Sequence, residues 1–249
     1  MTTLFISDLH LCEERPHINA LFARFLDEIA RDAEALYVLG DLFEYWIGDD
    51  QLDHEPLARE VASELAGTAR RGTRIFFMHG NRDFLVGERF AREAGLTLLT
   101  DPTLITRGEQ RILLMHGDTL CTDDIGYQQF RVQVRDPAWQ VDILANPYSE
   151  RAQLARSIRS RSDVEKSMKA DAIMDVNAAA VAAAFVGHHC PILIHGHTHR
   201  PAKHELLIDE RSCTRWVLQD WHDYGGYLSM AGPDHTLTAH RIGVNTSAV

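Results

Sequence analysis

Five short aliphatic runs constrain the fold more than any other feature of this chain: residues 4–6, 36–39, 75–78, 112–115 and 192–194. Each is too short and too continuously apolar for an amphipathic helix, and reads as a buried strand. Between the first three, Leu21, Phe25 and Ile29, then Leu57, Val61 and Leu65, keep the spacing of three and four that marks one face of a helix. Strands alternating with helices predict an α/β fold, a largely parallel or mixed sheet covered by helices. The residues just after each run are equally constraining: Ser7-Asp8-Leu9-His10, Gly40-Asp41, His79-Gly80-Asn81-Arg82-Asp83, His116-Gly117-Asp118 and His195-Gly196-His197-Thr198-His199. Every run ends in a residue type that binds metals. Ligand sites of open α/β sheets form outside the carboxyl ends of the strands, so these side chains are predicted to meet on one rim.

The stretch between Cys121 and Cys190 is too long for an ordinary crossover and is expected to carry its own helices. Phe130 with Val134, Trp139 with Ile143, and Leu154 with Ile158 keep helical spacing, while Pro137 and Pro147 divide the stretch into pieces. Eight Lys or Arg against five Asp or Glu between Arg131 and Lys169 make it a locally basic cap on an acidic body. After Pro201 come four short alternating runs, residues 205–208, 215–218, 227–230 and 236–242, separated by turn signals. They read as hairpins supplying a second layer of sheet behind the first. The expected organisation is one domain over residues 1–249, with a helical cap inserted at about 125–186.

Composition narrows the partners. With 36 acidic against 25 basic residues the net charge is −11, which disfavours a nucleic-acid partner, since binding a phosphate backbone takes cations. A length of 249 residues, 45% of them hydrophobic, buries a core without cross-links. Cys12, Cys121, Cys190 and Cys213 form no Cys-x-x-Cys pair, which fits neither a zinc ribbon nor a disulfide scaffold and points to a reducing compartment. No apolar run approaches the about 18 residues of a spanning helix, and no basic-then-apolar leader opens the chain. A cytoplasmic location is expected. Removing the first ten residues would delete Asp8 and His10.

Taken singly, a Gly-Asp after a strand is a turn signal and a lone His is ordinary structure. The set is different, because carboxylate, imidazole and amide donors without thiolate suit Mn, Fe or Zn at a catalytic centre. In order, Asp8-x-His10, Gly40-Asp41, Gly80-Asn81, His116 and Gly196-His197-x-His199 resemble the motifs of the calcineurin-type binuclear metallophosphoesterases. The resemblance implies a four-layer α/β/β/α sandwich. It places Asp8, His10, Asp41 and His199 on one ion and Asp41, Asn81, His116 and His197 on the other, with Asp41 bridging. Two ions roughly 3.5 to 4 Å apart clamp a phosphoryl group and yield a hydroxide nucleophile near neutral pH. His79 and His195 fall outside the matched positions and read as supporting residues.

Many members of that family carry Gly-Asn-His where this chain has Gly80-Asn81-Arg82. The missing imidazole is a missing proton donor, which argues for a leaving group that needs none. A phosphate leaving from a pyrophosphate qualifies, its second pKa lying near about 6. Arg82 offers instead a permanently charged planar fork.

The longer blocks, Ser7 to Leu11, Leu39-Gly40-Asp41-Leu42-Phe43-Glu44-Tyr45-Trp46-Ile47-Gly48-Asp49-Asp50, His79 to Leu85 and His116 to Asp124, resemble the UDP-2,3-diacylglucosamine diphosphatases of lipid A biosynthesis over nearly the whole chain. This implies hydrolysis at the α-phosphorus by a metal-bridging hydroxide with two Mn2+ ions, or other divalent ions, per chain. The products are UMP and 2,3-diacylglucosamine 1-phosphate. Catalytic roles fall on Asp41, Asn81, Arg82 and His197. Substrate contacts fall on Asn81, Arg82, Asp124, Ser162, Lys166, Lys169 and His197, although spacing alone makes Ser162, Lys166 and Lys169 a solvated helix face.

The cap between residues 136 and 161 is more polar than that resemblance leads one to expect. Its Trp139, Val141, Ile143, Leu144, Tyr148, Leu154 and Ile158 form either a groove wall or packing onto the body. Arg151, Arg156, Arg159 and Arg161 either meet anionic headgroups, at about 1 kcal/mol each, or stand in water. A transient, peripheral association with the cytoplasmic face of the inner membrane is the corresponding expectation. Trp46 and Trp221 read as core. The other functions open to such a chain are another binuclear phosphoesterase, a nucleotide pyrophosphatase or phosphodiesterase, and a non-catalytic protein-binding module, which the filled ligand positions disfavour.

Overall fold

Period-two alternation along the apolar strands builds the architecture. The computed structural model describes residues 2–168 and 175–243, with residues 159–168 described by their backbone alone. In chain order the elements are β1 (Thr3–Ile6), α1 (Pro16–Glu28), β2 (Ala35–Leu39), α2 (Gln51–His54), α3 (Pro56–Arg70), β3 (Arg74–Met78), α4 (Glu88–Ala94), β4 (Leu96–Leu99), β5 (Thr103–Arg107), β6 (Gln110–Leu114), α5 (Ile125–Val134), α6 (Pro137–Leu144), α7 (Tyr148–Met168), α8 (Ala178–His188), β7 (Ile192–His195), β8 (Ala202–Ile208), β9 (Arg211–Val217), β10 (Tyr224–Ala231) and β11 (Thr236–Gly243). One sheet has the order β11-β10-β1-β2-β3-β4 and the other β5-β6-β7-β9-β8. Strands β1 to β4 run parallel, as do β6, β7 and β9.

Side chains of successive residues leave a strand on opposite faces, so a run that is apolar throughout must be covered twice. Leu4, Ile6, Leu36, Val38, Ile75 and Phe77 pack on Leu21, Phe22 and Phe25 of α1 and Val61 and Leu65 of α3. Their alternates, Phe5, Tyr37, Leu39 and Met78, turn inward against Ile112, Leu114 and Ile194 of the second sheet. Leu113, Leu193 and Cys213, on that sheet's far face, meet Val181 and Phe185 of α8. The result is the expected α/β/β/α sandwich, and all five aliphatic runs are strands.

Three expectations change. The two C-terminal hairpins do not form one layer together: β8 and β9 join the second sheet, whereas β10 pairs antiparallel with β1 and extends the first. Alternation identifies a hairpin but not the sheet edge that receives it. Strands β4 and β5, half-buried at the edges of the two sheets, are additional to the five aliphatic runs. Finally, Arg151 is no headgroup-facing residue. It is 5% exposed, donates to the carbonyl oxygens of Ile47 and Asn146, and pairs with Asp50, clamping α7 onto the body.

Helices α5, α6 and α7 break where the prolines predict. Pro137 occupies the first turn of α6, whose N-terminal amides of Ala138 and Trp139 are capped by the Asp136 carboxylate. Helix α8 begins within the 125–186 span and ends two residues beyond it, and it packs in the outer layer. Among the described residues, no helix is long and apolar enough to cross a membrane.

Candidate metal centre

The loops leaving β1, β2 and β7 turn back at once over the sheet rim. Asp8, His10, Asp41, His197 and His199 all have positive φ, between 52° and 68°. Side-chain-bearing residues seldom adopt this conformation, and its strain persists only where the surroundings over-determine it. Here they do. The Asp8 N–H donates to Gly40 O at 3.1 Å, that of His10 to Asp41 O at 2.9 Å and that of Leu11 to Leu42 O at 2.9 Å, so the first two loops run paired beyond their strands. A Cβ at Gly80 would strike the Asp41 carboxylate and one at Gly196 the Asp8 carboxylate, so at both positions only glycine fits.

All seven predicted ligand positions come together. Asp8, buried, accepts the Ser7 hydroxyl at 2.6 Å and the His197 N–H at 2.9 Å, and its other oxygen lies 3.5 Å from His199 Nε2. His10 Nε2 is 3.2 Å from His199 Nε2. Asp41 Oδ2 stands 3.9 Å from both His10 Nε2 and His116 Nε2, while Oδ1 accepts the Arg82 N–H at 2.8 Å. Asn81 Oδ1 is 3.0 Å from His116 Nε2 and 2.8 Å from His197 Nδ1. His116 Nδ1 donates to Leu39 O at 2.9 Å, which turns Nε2 toward Asp41 and Asn81. Two sets of donors lie within 4.8 Å of one another, Asp8 with His10 and His199 and Asp8 with Asp41 and His116.

Electrostatics says what such a cluster is suited to hold. Burial pushes the Asp41 carboxyl up to about 7, against the pull of His116. Burial acts to lower His116, but the charges of Asp41, Asp118 and Asp8 outweigh it and hold it at about 9. His197 is pushed down to about 3 by burial and then by the charge of His116. Burial would raise Asp8, yet the bond and charge of His199 keep it below the usual carboxylate range. Without a cation the cluster thus keeps protons on groups that would otherwise be ligands. Carboxylate, imidazole and amide donors converging without thiolate fit a divalent cation, which would displace those protons.

Residues 1–201 match the calcineurin-like phosphoesterase family. The chain belongs to that family. It is 55% identical to a UDP-2,3-diacylglucosamine hydrolase of Aromatoleum aromaticum over 93% of this chain and 94% of that one. It is 51% identical to the enzyme of the same name from Escherichia coli O7:K1, over 94% and 97%, and 53% identical to that of Chromohalobacter salexigens, over 91% and 92%.

Around the centre of this phosphoesterase, Arg82 is half-buried, its guanidinium 3.7 Å from Glu44, whose other oxygen lies 3.3 Å from Arg15. From Asn81 and Arg82 a groove of about 820 Å³, open to solvent, runs between Trp46, Phe84, Phe130, Trp139, Ile143, Leu154 and Ile158. Of the predicted wall, Trp139, Ile143, Leu154 and Ile158 line it, whereas Val141 is exposed. Trp46 lends one edge to the groove but is otherwise core, as is Trp221.

Asp124 caps α5, accepting the Tyr127 N–H at 3.0 Å. The side chains of Ser162 and Lys166, and Lys169 entirely, lie outside the described residues. His79 and His195 are tied into the frame: His79 donates to Val86 O at 2.6 Å, and His195 donates to Gly196 O while accepting from Arg215. Two acids escaped the sequence reading. Asp118, buried behind His116, accepts from Tyr127 Oη at 2.6 Å and Arg131 Nε at 2.8 Å, bolting the cap to the centre. Asp83 is the other. Their only sequence signal is position, two residues after a predicted ligand.

Proposed function

We propose that this phosphoesterase hydrolyses the pyrophosphate of UDP-2,3-diacylglucosamine, releasing UMP and 2,3-diacylglucosamine 1-phosphate. The observation that carries the reading is identity of 51–55% across more than nine-tenths of both chains with enzymes of that name. The proposed ligands are Asp8, His10, Asp41 and His199 for one Mn2+, and Asp41, Asn81, His116 and His197 for a second. A bridging Asp41 is supported by its Oδ2 standing equally far from His10 and His116. Such ions supply Lewis-acid charge to a phosphoryl group and a more acidic water.

The chain's own residues do the rest. Arg82 presents its planar fork at the mouth of the centre, where it binds pyrophosphate oxygens and spreads the charge that develops on them. With Asn81 Oδ1 turned to the imidazoles, the amide NH2 is left to donate to the substrate. With attack at the α-phosphorus the leaving group is 2,3-diacylglucosamine 1-phosphate, a phosphate monoester with a second pKa of about 6, so it needs no imidazole beside it. The apolar groove takes acyl chain, with Arg156 on its lining. Asp124, Ser162, Lys166, Lys169 and His197 complete the substrate contacts. Exposed Ile125, Val132, Val141 and Leu144 on the basic cap support transient docking at the cytoplasmic face of the inner membrane.

The test is UMP release from UDP-2,3-diacylglucosamine in detergent, after chelation and after Mn2+ is restored, beside a UDP-sugar without acyl chains. Release that is chelator-sensitive and selective for the acylated substrate is expected. Equal cleavage of both would move the protein to a broader nucleotide pyrophosphatase.

A further inference from the structure

The loops carrying Asp41 and Asn81 leave different strands, β2 and β3. Asp83 fastens one to the other. Its carboxylate is fully buried and collects four backbone N–H groups: Oδ1 accepts from Gly80 at 2.8 Å and Asp41 at 3.3 Å, and Oδ2 from Leu42 at 2.7 Å and Phe43 at 3.4 Å. One donor is the amide of Asp41 itself, and another is that of the residue preceding Asn81. Asp41 sits at φ 53°, a backbone conformation that nothing in its own side chain demands. The Arg82 N–H, from the residue next to Asp83, holds the Asp41 carboxylate from the same side.

We infer that Asp83 is a positioning residue of the metal centre: it holds Asp41 in its left-handed conformation and sets Asn81 beside it, so that the centre stands formed before any ion arrives. The inference rests on reading Asp41 and Asn81 as metal donors. An ionised or neutral carboxyl presents acceptor oxygens on both sides, whereas an amide of the same shape turns an NH2 toward two of the four N–H donors. Asp83→Asn therefore disrupts one half of the clamp without emptying the site.

The experiment is Mn2+ titration by calorimetry and electron paramagnetic resonance on the wild type, Asp83→Asn and a control, Leu65→Ala. Leu65 is buried in the packing of α3 against the first sheet, remote from the centre, and its truncation lowers stability without touching the loops. The wild type is expected to bind two ions. Asp83→Asn is expected to bind both ions more weakly, at least tenfold for the one held by both Asp41 and Asn81 and less for the one that shares Asp41 alone, while Leu65→Ala binds both normally despite its lower Tm. Unchanged affinity for both ions in Asp83→Asn overturns the inference and leaves the metal reading intact, whereas a wild type that binds no ion overturns that reading itself.

Should Asp83→Asn not fold, hydrogen exchange in the metal-free wild type decides. Slow exchange at Leu42 and Gly80 before metal addition supports a pre-formed clamp. Fast exchange that slows only on Mn2+ addition means that the ion organises the loops, and the inference fails.

Discussion

Replacing Arg151 with alanine should separate the cap from the chemistry. The side chain is nearly sealed from solvent, and its three nitrogens serve the carbonyl of Asn146 on the cap and the carbonyl of Ile47 and the carboxylate of Asp50 on the body. Hydrogen bonds from a charged donor contribute about 1.5 to 3 kcal/mol each, and a buried acceptor left bare costs about 1 to 3 kcal/mol. Asp50 is 39% exposed and regains water, so its share is small and screened. Ile47 O is the main loss, which puts the weakening of α7 docking at about 3 kcal/mol, or roughly a hundredfold in the docked-to-undocked ratio.

Among the described residues Tyr148 is a further anchor, donating to Glu55 at 2.5 Å and stacking on His54. The variant should therefore raise KM for the diacylated substrate severalfold to a hundredfold, according to how firmly the cap is docked at the start. Cleavage of a small phosphodiester such as bis(p-nitrophenyl) phosphate, which needs only the centre, should change less than twofold. Steady-state kinetics on both substrates makes the comparison. An equal loss on both, or none on either, would refute the reasoning that Arg151 holds the groove rather than the centre.

Asp41→Ala should abolish turnover and remove most Mn2+ binding, since both of the proposed ligand sets lose a carboxylate; retained activity would refute the bridging assignment, and calorimetry reads the metal directly. Chelation should lower Tm, because ions bound only by the folded state at a hundred times their Kd contribute about 2.7 kcal/mol each, and each kcal/mol moves Tm by about 2–4 °C at this size. Glu64 gives a pH test: burial, and then the charge of Glu60, push its carboxyl up to about 7. Its raised value favours folding fully below the ordinary carboxyl range, and that contribution is lost as pH rises through about 7. Glu64→Gln should then be more stable than wild type by about 1 kcal/mol at pH 8.5, after allowance for screening, and the gap should shrink toward pH 5. Urea midpoints at the two values check it, and an identical gap at both would remove the titration argument.

Much of the centre was legible in the chain because parallel strands place their carboxyl ends on one side. Five apolar runs, each ending in Asp, Asn or His, could only deliver those residues to neighbouring positions on a rim. Hydrophobic period was enough for the layers as well, since residues such as Leu4 and Phe5, or Leu113 and Ile112, must be covered from opposite sides. Helix breaks at Pro137 and Pro147 come from the missing N–H, a purely local property.

Other features depend on what meets across the fold. Nothing in the runs after Pro201 tells one sheet edge from another, so the position of β10 beside β1 is settled by the packing of both sheets together. The positive φ of Asp8, His10, Asp41, His197 and His199 is only weakly favoured by residue type; it is imposed by neighbouring loops and by partners such as Asp83, forty-two positions from Asp41. Arg151 reads in sequence as one more cap arginine, and becomes a clamp because the Ile47 carbonyl and Asp50 lie opposite it. Which residue types end each strand and which faces must be buried are local and periodic properties, and the order of amino acids suffices for them. How the loops are held and which charges are sealed inside emerge once the chain is folded, because hydrogen bonds and burial are relations between residues far apart along it.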